Sequence, residues 1–309
     1  SQLLQQYVGD RVANLGFGFV NGAENSLEPL RQLLEEYKDD FTPNLRVEWD
    51  DHSLDTILDA TALESKWKFN ISSLARRVEG ISGGHLILVG ARPNTGKTSF
   101  HASLVAAANG FAHQGAKCIV LCNEEAYTRV AARYISASSN MTMTEVRTNK
   151  ALANKRYHPV SENIQFKDST GKGMDWVESV VKYERPDILI LDMGDKFADI
   201  RSERSDITLK AAAIHARNIA KQYDCSVIWM SQLSAEAEGR ADLNQAMMEG
   251  SKTGKAAEAD LMVLIGKTQQ AEGEEEDPIR YLNIAKNKLN GYQGKITCVL
   301  DGSRSVYSA

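Results

Sequence analysis

The chain has 309 residues, 42% of them hydrophobic, 25% charged and 7% aromatic, a balance that fits a water-soluble globular protein and excludes a disordered or collagen-like chain. Its 36 Lys and Arg against 41 Asp and Glu give a formal net charge of -5, which speaks against a nucleic-acid binder working through global basicity. Five of the acids fall in the run 272 to 277, and without them 36 acids face 36 bases.

Residues 1–78 lack strand-helix alternation and are expected to form a small helical N-terminal segment, docked on the chain's own main domain or on a neighbouring subunit. Ser26 to Tyr37 combines a capping Ser, an early Pro29 and apolar residues at helical spacing, which predicts an amphipathic helix. Ser53 caps a second candidate with Leu54, Ile57, Leu58, Ala62 and Leu63 on one face. The first residue is Ser rather than Met, which allows for a trimmed chain or fragment and for a domain ahead of Ser1.

From residue 79 to the C-terminus the pattern is that of an α/β domain with a mostly parallel sheet, short β-branched apolar runs separated by helical segments. Strands are expected at 85–89, 117–122, 164–166, 188–191, 226–230, 261–265, 281–285 and 296–300, the last two as an antiparallel hairpin. Helices are expected near 97–113, 126–138, 174–183, 206–223 and 253–259. No apolar run approaches the ~20 residues of a membrane span, and no signal sequence opens the chain, so a cytoplasmic protein is expected. Cys118, Cys122, Cys225 and Cys298 lie in or beside apolar runs without zinc-ligand spacing and read as reduced core residues.

The strongest chemical signal is Leu86-Ile87-Leu88-Val89-Gly90-Ala91-Arg92-Pro93-Asn94-Thr95-Gly96-Lys97-Thr98-Ser99, a strand entering a phosphate-binding P-loop that opens a helix. Backbone amides from Ala91 to Ser99 would wrap the phosphates of ATP, Lys97 would neutralise them, and the Thr98 hydroxyl would ligate Mg²⁺. Ala91 replaces the usual leading glycine and is tolerable if its φ is negative. Asp192 ends the apolar run 188–191, about 95 residues after Lys97, and suits a water-bridged metal contact at a strand's carboxyl end. Glu124 follows the strand 117–122 and can polarise an attacking water, whereas Glu125 fits a helix-start acid. Ser169-Thr170-Gly171-Lys172-Gly173 resembles a second such loop but reads as a strand-to-helix turn.

Together these residues resemble the RecA-like hexameric replicative helicases of bacteria and their phages, the DnaB type and the helicase half of the phage T7 primase-helicase. Gly83 to Pro93 looks like the family's approach to its P-loop, Glu124 matches its catalytic glutamate and Asp192 its metal-binding aspartate. Trp229-Met230-Ser231-Gln232-Leu233 is similar to the motif whose Gln senses the γ-phosphate, and residues 259–265 and 285–291 to the last two conserved blocks. The resemblance runs from about residue 80 to the C-terminus, in the family's order.

The resemblance implies that Lys286 and Lys288 reach the γ-phosphate held by the adjacent subunit, where the family usually has a Lys and then an Arg. Lys supplies the charge without the bidentate fork. Lys267 stands where phage members carry another arginine acting in trans. Two loops would face single-stranded DNA, Asp195 to Asp206 with Arg201 and Arg204, and Ser234 to Lys255 with Arg240, Lys252 and Lys255. Both are poor in apolar anchors and are taken to lack stacking rings, so backbone contact without base stacking is expected. The implied protein is an ATP-dependent, Mg²⁺-requiring DNA helicase, a homo-hexameric ring with a primase or loader as a further partner. A recombinase or recombination mediator of the same fold, or a nucleotide-binding scaffold that does not hydrolyse, are the alternatives. The acidic run is expected on the outer or lateral surface, away from the channel.

Overall fold

Contacts divide the chain into two units, residues 1–62 and 63–309. The computed structural model describes residues 2–23, 26–37, 53–55, 65–198, 205–249, 254–269 and 277–309. In the first unit, α1 (Gln2–Val20) is followed by α2 (Glu28–Glu36). The Ser26 hydroxyl accepts from the Glu28 amide at 3.0 Å, but Leu27 occupies the N-cap and Pro29 the first turn. The second helical candidate, with Ile57, Leu58, Ala62 and Leu63, lies outside the described residues beyond Asp55.

The larger unit opens earlier than the sequence suggests. Strand β1 (Trp67–Lys68) pairs antiparallel with β2 (Gly80–Ile81) around helix α3 (Ser72–Val78). Trp67, Phe69, Ile71, Leu74 and Val78 are buried in the same core as the main sheet. The boundary therefore falls after Ala62 and not near residue 78, because this apolar stripe is satisfied by the larger unit.

A nine-stranded sheet follows, built from β3 (Leu86–Ala91), β4 (Cys118–Cys122), β5 (Ile164–Asp168), β6 (Ile188–Asp192), β7 (Ser226–Gln232), β8 (Leu261–Gly266), β9 (Ile279–Asn287), β10 (Gly294–Asp301) and β11 (Val306–Ser308). Its order is β11-β10-β9-β8-β3-β7-β6-β4-β5. Strands β8, β3, β7, β6, β4 and β5 run parallel, while β9, β10 and β11 complete one edge antiparallel. Strands β3, β4, β6 and β8 are buried throughout, as expected when helices cover both faces. In β10 burial alternates, with Ile296, Cys298 and Leu300 inward, the mark of a half-solvated strand.

The helices of this unit beyond α3 are α4 (Lys97–Ala106), α5 (Tyr127–Ser139), α6 (Met143–Thr148), α7 (Lys150–Ser161), α8 (Met174–Glu184), α9 (Ser205–Gln222) and α10 (Gly254–Glu258). Helix α4 ends well before residue 113, where Asn109 takes φ 58° and Gly110 follows. The string 169–173 is the β5-to-α8 turn, with Gly171 at φ 72° and Gly173 as N-cap. All four cysteines are free and buried, and burial pushes the Cys122, Cys225 and Cys298 thiols up to about 12, so they are protonated at neutral pH. No helix among the described residues is long and apolar enough to cross a membrane.

Candidate active site

The P-loop leaves β3 at Ala91, which has no positive φ; Asn94 and Gly96 carry the left-handed turns, at φ 58° and 101°. Ala91 can replace glycine because it still lies in the strand. Gly96 cannot be replaced without strain, since a Cβ there would come within 2.6 Å of Leu300 and 2.7 Å of the Tyr307 hydroxyl. Helix α4 then starts at Lys97, and its first amides are free of intrahelical partners and available to an anion.

Three strands deliver the other groups to the same carboxyl edge of the sheet, where ligands of open α/β folds bind. Glu124 follows β4 and Asp192 ends β6, while Gln232 ends β7 in register with Ala91 of β3. A cleft of about 730 Å³ is lined by Arg92, Pro93, Asn94 and residues 96–99, with Glu124, Gln232, Lys267 and Arg280 around them, a size suited to a nucleotide. Lys97 Nζ lies 3.3 Å from Glu124 Oε2. Glu125 is bound instead to Arg133 at 3.0 Å, so of the two neighbouring acids it is Glu124 whose carboxylate meets the P-loop lysine.

Asp192 is almost wholly buried, with His101 Nε2 3.6 Å from its Oδ1, an electrostatic contact longer than a formed hydrogen bond. Burial opposes ionisation, but the polar and charge interactions with His101, followed by the charges of Lys97 and Arg133, outweigh it and hold the carboxyl below its usual range. Oδ1 has no hydrogen-bond partner among the described residues. An ionised buried oxygen without a donor, within the field of the P-loop lysine, fits a group that meets a hydrated divalent metal.

Arg280 is a site residue that the sequence pattern does not single out. It is wholly buried on β9, and its Nε donates to the Thr95 carbonyl at 2.9 Å while another nitrogen donates to the Asp277 and Ile279 carbonyls. It braces the P-loop from behind. The alternation of Arg280 with Leu282 and Ile284 on one face is the available signal, and a strand taken to start at Tyr281 leaves it out. Arg280→Met takes from the Thr95 carbonyl its close donor and leaves only the Tyr307 hydroxyl at 3.5 Å, a cost of about 1–3 kcal/mol in holding the loop, and titration with a fluorescent ATP analogue is expected to show about tenfold weaker binding. Unchanged affinity and melting in that variant would show that the P-loop does not need this brace.

Arg92 pairs with Glu238 at 2.7 Å and donates to the Leu233 carbonyl at 2.9 Å, tying the P-loop to the segment after Gln232. Lys267, expected from the resemblance to act in trans, lines the cleft of its own chain. Lys286 donates to the Ala256 and Ala257 carbonyls at 2.6 and 2.9 Å; burial, then the Lys288 charge, lowers its pKa. Lys288 is exposed on a turn organised by the Asn287 side chain.

Of the cations expected to face DNA, Arg240 is exposed. Arg201, Arg204, Lys252 and the acidic residues 272–276 lie outside the described residues. Lys255 is not a loop-surface cation: it is wholly buried and paired with Asp195 at 2.7 Å. The stretch after Ser234 is also better anchored than expected, with Leu243, Met247 and Met248 buried, because a bridge between Leu233 and Met248 folds it back onto the sheet. The segment after Asp195 likewise holds one aromatic ring, Phe197, which is buried in the core and not offered to a base.

Sheet order and site together define a RecA-like P-loop protein. The sequence profile of the DnaB-like helicase C terminal domain matches residues 68–308, and the chain belongs to that family. It is 25% identical over 252 residues to the replicative DNA helicase DnaB of Pasteurella multocida (strain Pm70), covering 76% of this chain and 53% of the relative; it thus spans about half that relative's length. The fold is similar to an ATPase domain of known structure, with a TM-score of 0.71 and 18% identity over 84% of this chain and 99% of that one. It is also similar to a DnaB-like replicative helicase whose structure was described with its interactions with primase, with a TM-score of 0.74 and 16% identity over 100% of this chain and 78% of the other.

Proposed function

We propose that this chain is the ATP-driven motor of a replicative DNA helicase that assembles as a ring, each cleft being completed by a neighbouring copy. The observation that carries the reading is the convergence of P-loop, Glu124 and Gln232 around a nucleotide-sized cleft, with the buried Asp192 at the same edge of the sheet. Backbone amides and Lys97 bind the triphosphate of ATP. Thr98 and Asp192 hold Mg²⁺, which when bound neutralises charge on the phosphate oxygens. A polyphosphate offers Lys97 a stronger partner than Glu124, which leaves that carboxylate to orient water and accept its proton. Gln232 contacts the γ-phosphate, and Lys267 adds positive charge from the same chain.

Lys288, exposed and absent from the lining of its own cleft, is the better placed of the two late lysines to complete a neighbour's site in a homo-hexamer. The strand bound in the channel is single-stranded DNA, met by the backbone-binding segments after β6 and β7 and by Arg240, with Arg201, Arg204 and Lys252 as further phosphate contacts. A primase, the partner in one relative's description, or a loader is the partner class we carry to this chain, acting in the cytoplasm. The test is ATP hydrolysis with and without single-stranded DNA, alongside electron microscopy with an ATP analogue. Stimulation by DNA and closed rings are expected; filaments would favour a recombinase, and absent hydrolysis a nucleotide-binding scaffold.

A further inference from the structure

Burying a lysine costs several kcal/mol unless its charge is paired and its protons are used. Lys255 has no exposed surface. Its Nζ lies 2.7 Å from Asp195 Oδ1 and donates to Ser231 Oγ at 2.9 Å. Ser231 Oγ in turn donates to Asp195 Oδ2 at 2.6 Å, and Trp229 Nε1 donates to Oδ1 at 3.0 Å. The result is a buried network that joins three chain segments distant in sequence.

Each segment has a place in the motor. Asp195 lies in the 3-10 turn Gly194–Phe197 that closely follows Asp192. Trp229 and Ser231 belong to β7, whose last residue is Gln232. Lys255 lies in the first turn of α10, at the far end of the segment after β7. The turn is pressed onto β7: Met193 adopts φ 62°, and a Cβ on Gly194 would lie 2.5 Å from the Trp229 ring. Well-packed apolar residues of similar volume often replace such a buried pair at no loss of stability, so the charges answer to something other than packing.

We propose that Lys255 and Asp195 are positioning residues that fasten the stems of the segments after β6 and β7 to the strand bearing Gln232, so that both stems follow that strand when nucleotide binds. The part of this inference that concerns DNA rests on the function proposed above; the part that concerns nucleotide does not. Asp195 supplies the fixed acceptor, Ser231 the link to the strand, and Lys255 the tie to α10. Because Ser231 lies beside Gly90 of β3, in register, the network is one strand from the P-loop.

The test uses the full chain carrying Lys255→Met and Asp195→Asn together. Removing both charges avoids stranding either one, and Asn keeps both partners, its oxygen accepting from Trp229 and its Nδ2 donating to the Ser231 hydroxyl that Lys255 has vacated, so the melting temperature is expected to stay near that of the wild type. Hydrogen exchange of residues 195–206 and 249–258 is then measured with and without a non-hydrolysable ATP analogue, and ATPase rates with and without single-stranded DNA. In the wild type both segments change protection when the analogue binds. In the double variant the analogue binds equally well and the basal rate is unchanged, but the exchange response of residues 249–258, whose tie through Lys255 is cut, disappears while that of the segment after β6 remains, and stimulation by DNA falls about fivefold or more. Wild-type exchange response in a folded double variant, or no response in the wild type, overturns the proposal. Loss of the response in the variant, from a wild type that DNA does not stimulate, supports the proposal and defeats the DNA reading instead. Should the double variant not fold, Ser231→Ala combined with Trp229→Phe, which removes both links of Asp195 to β7 and leaves the Lys255–Asp195 pair intact, is measured in the same way, and loss or retention of the exchange response of both segments decides the proposal in the same sense.

Discussion

Glu124→Gln is expected to lower the ATP turnover number by about 10²- to 10⁴-fold while leaving nucleotide affinity within a factor of about two, the range of losses when a general base is removed without changing shape. The amide keeps the volume of the carboxylate at the end of β4 but cannot take a proton from water. Phosphate release under saturating ATP reads the loss, and fluorescent nucleotide titration reads the retained binding. Glu125 cannot substitute, because Arg133 holds it at 3.0 Å. Full turnover in the Gln variant would sink the assignment of the base.

Two truncations separate the N-terminal unit from the larger one. Removing residues 1–62 is expected to leave the melting temperature of the larger unit nearly unchanged. Removing residues 1–78 takes away Trp67, Phe69, Ile71, Leu74 and Val78, all buried in the core of the larger unit. At about 1.5–3 kcal/mol for each buried side chain, the loss is on the order of 8–15 kcal/mol, as large as the whole stability of a typical domain. It also deletes Asn70, which donates to the Ser103 carbonyl of α4 at 2.9 Å, and the Arg77 carbonyl that Asn290 bonds at 2.8 Å. The longer truncation should therefore yield insoluble or unfolded protein, checked by circular dichroism and size exclusion; a cooperative melt near that of the shorter one would contradict the placement of residues 65–78.

Local signals are strongest where a single physical cause acts. Apolar runs fully buried between helices mark β3, β4, β6 and β8, and the P-loop is legible because phosphate binding demands its residues consecutively. Helices α6 and α7 are not legible in this way although Thr142 and Glu145 form a capping box; α6 has no buried residue and α7 buries only Ala153 and Val160, so neither shows an apolar stripe.

The net charge of -5 is a property of the whole chain and says nothing about any one surface. By itself the sequence determined the phosphate loop, the strands that carry Glu124, Asp192 and Gln232, and their order along the chain, since these depend on neighbours in sequence. Only the tertiary structure decided that Lys255 is a buried counter-ion and Arg280 a brace, and that Lys267 faces its own cleft. A cation's role is set by what lies across from it. For Lys255 that partner is 60 residues away and for Arg280 it is 185, while Lys267 shares its cleft with a P-loop carried by another strand, and composition and periodicity do not register proximity at such separations.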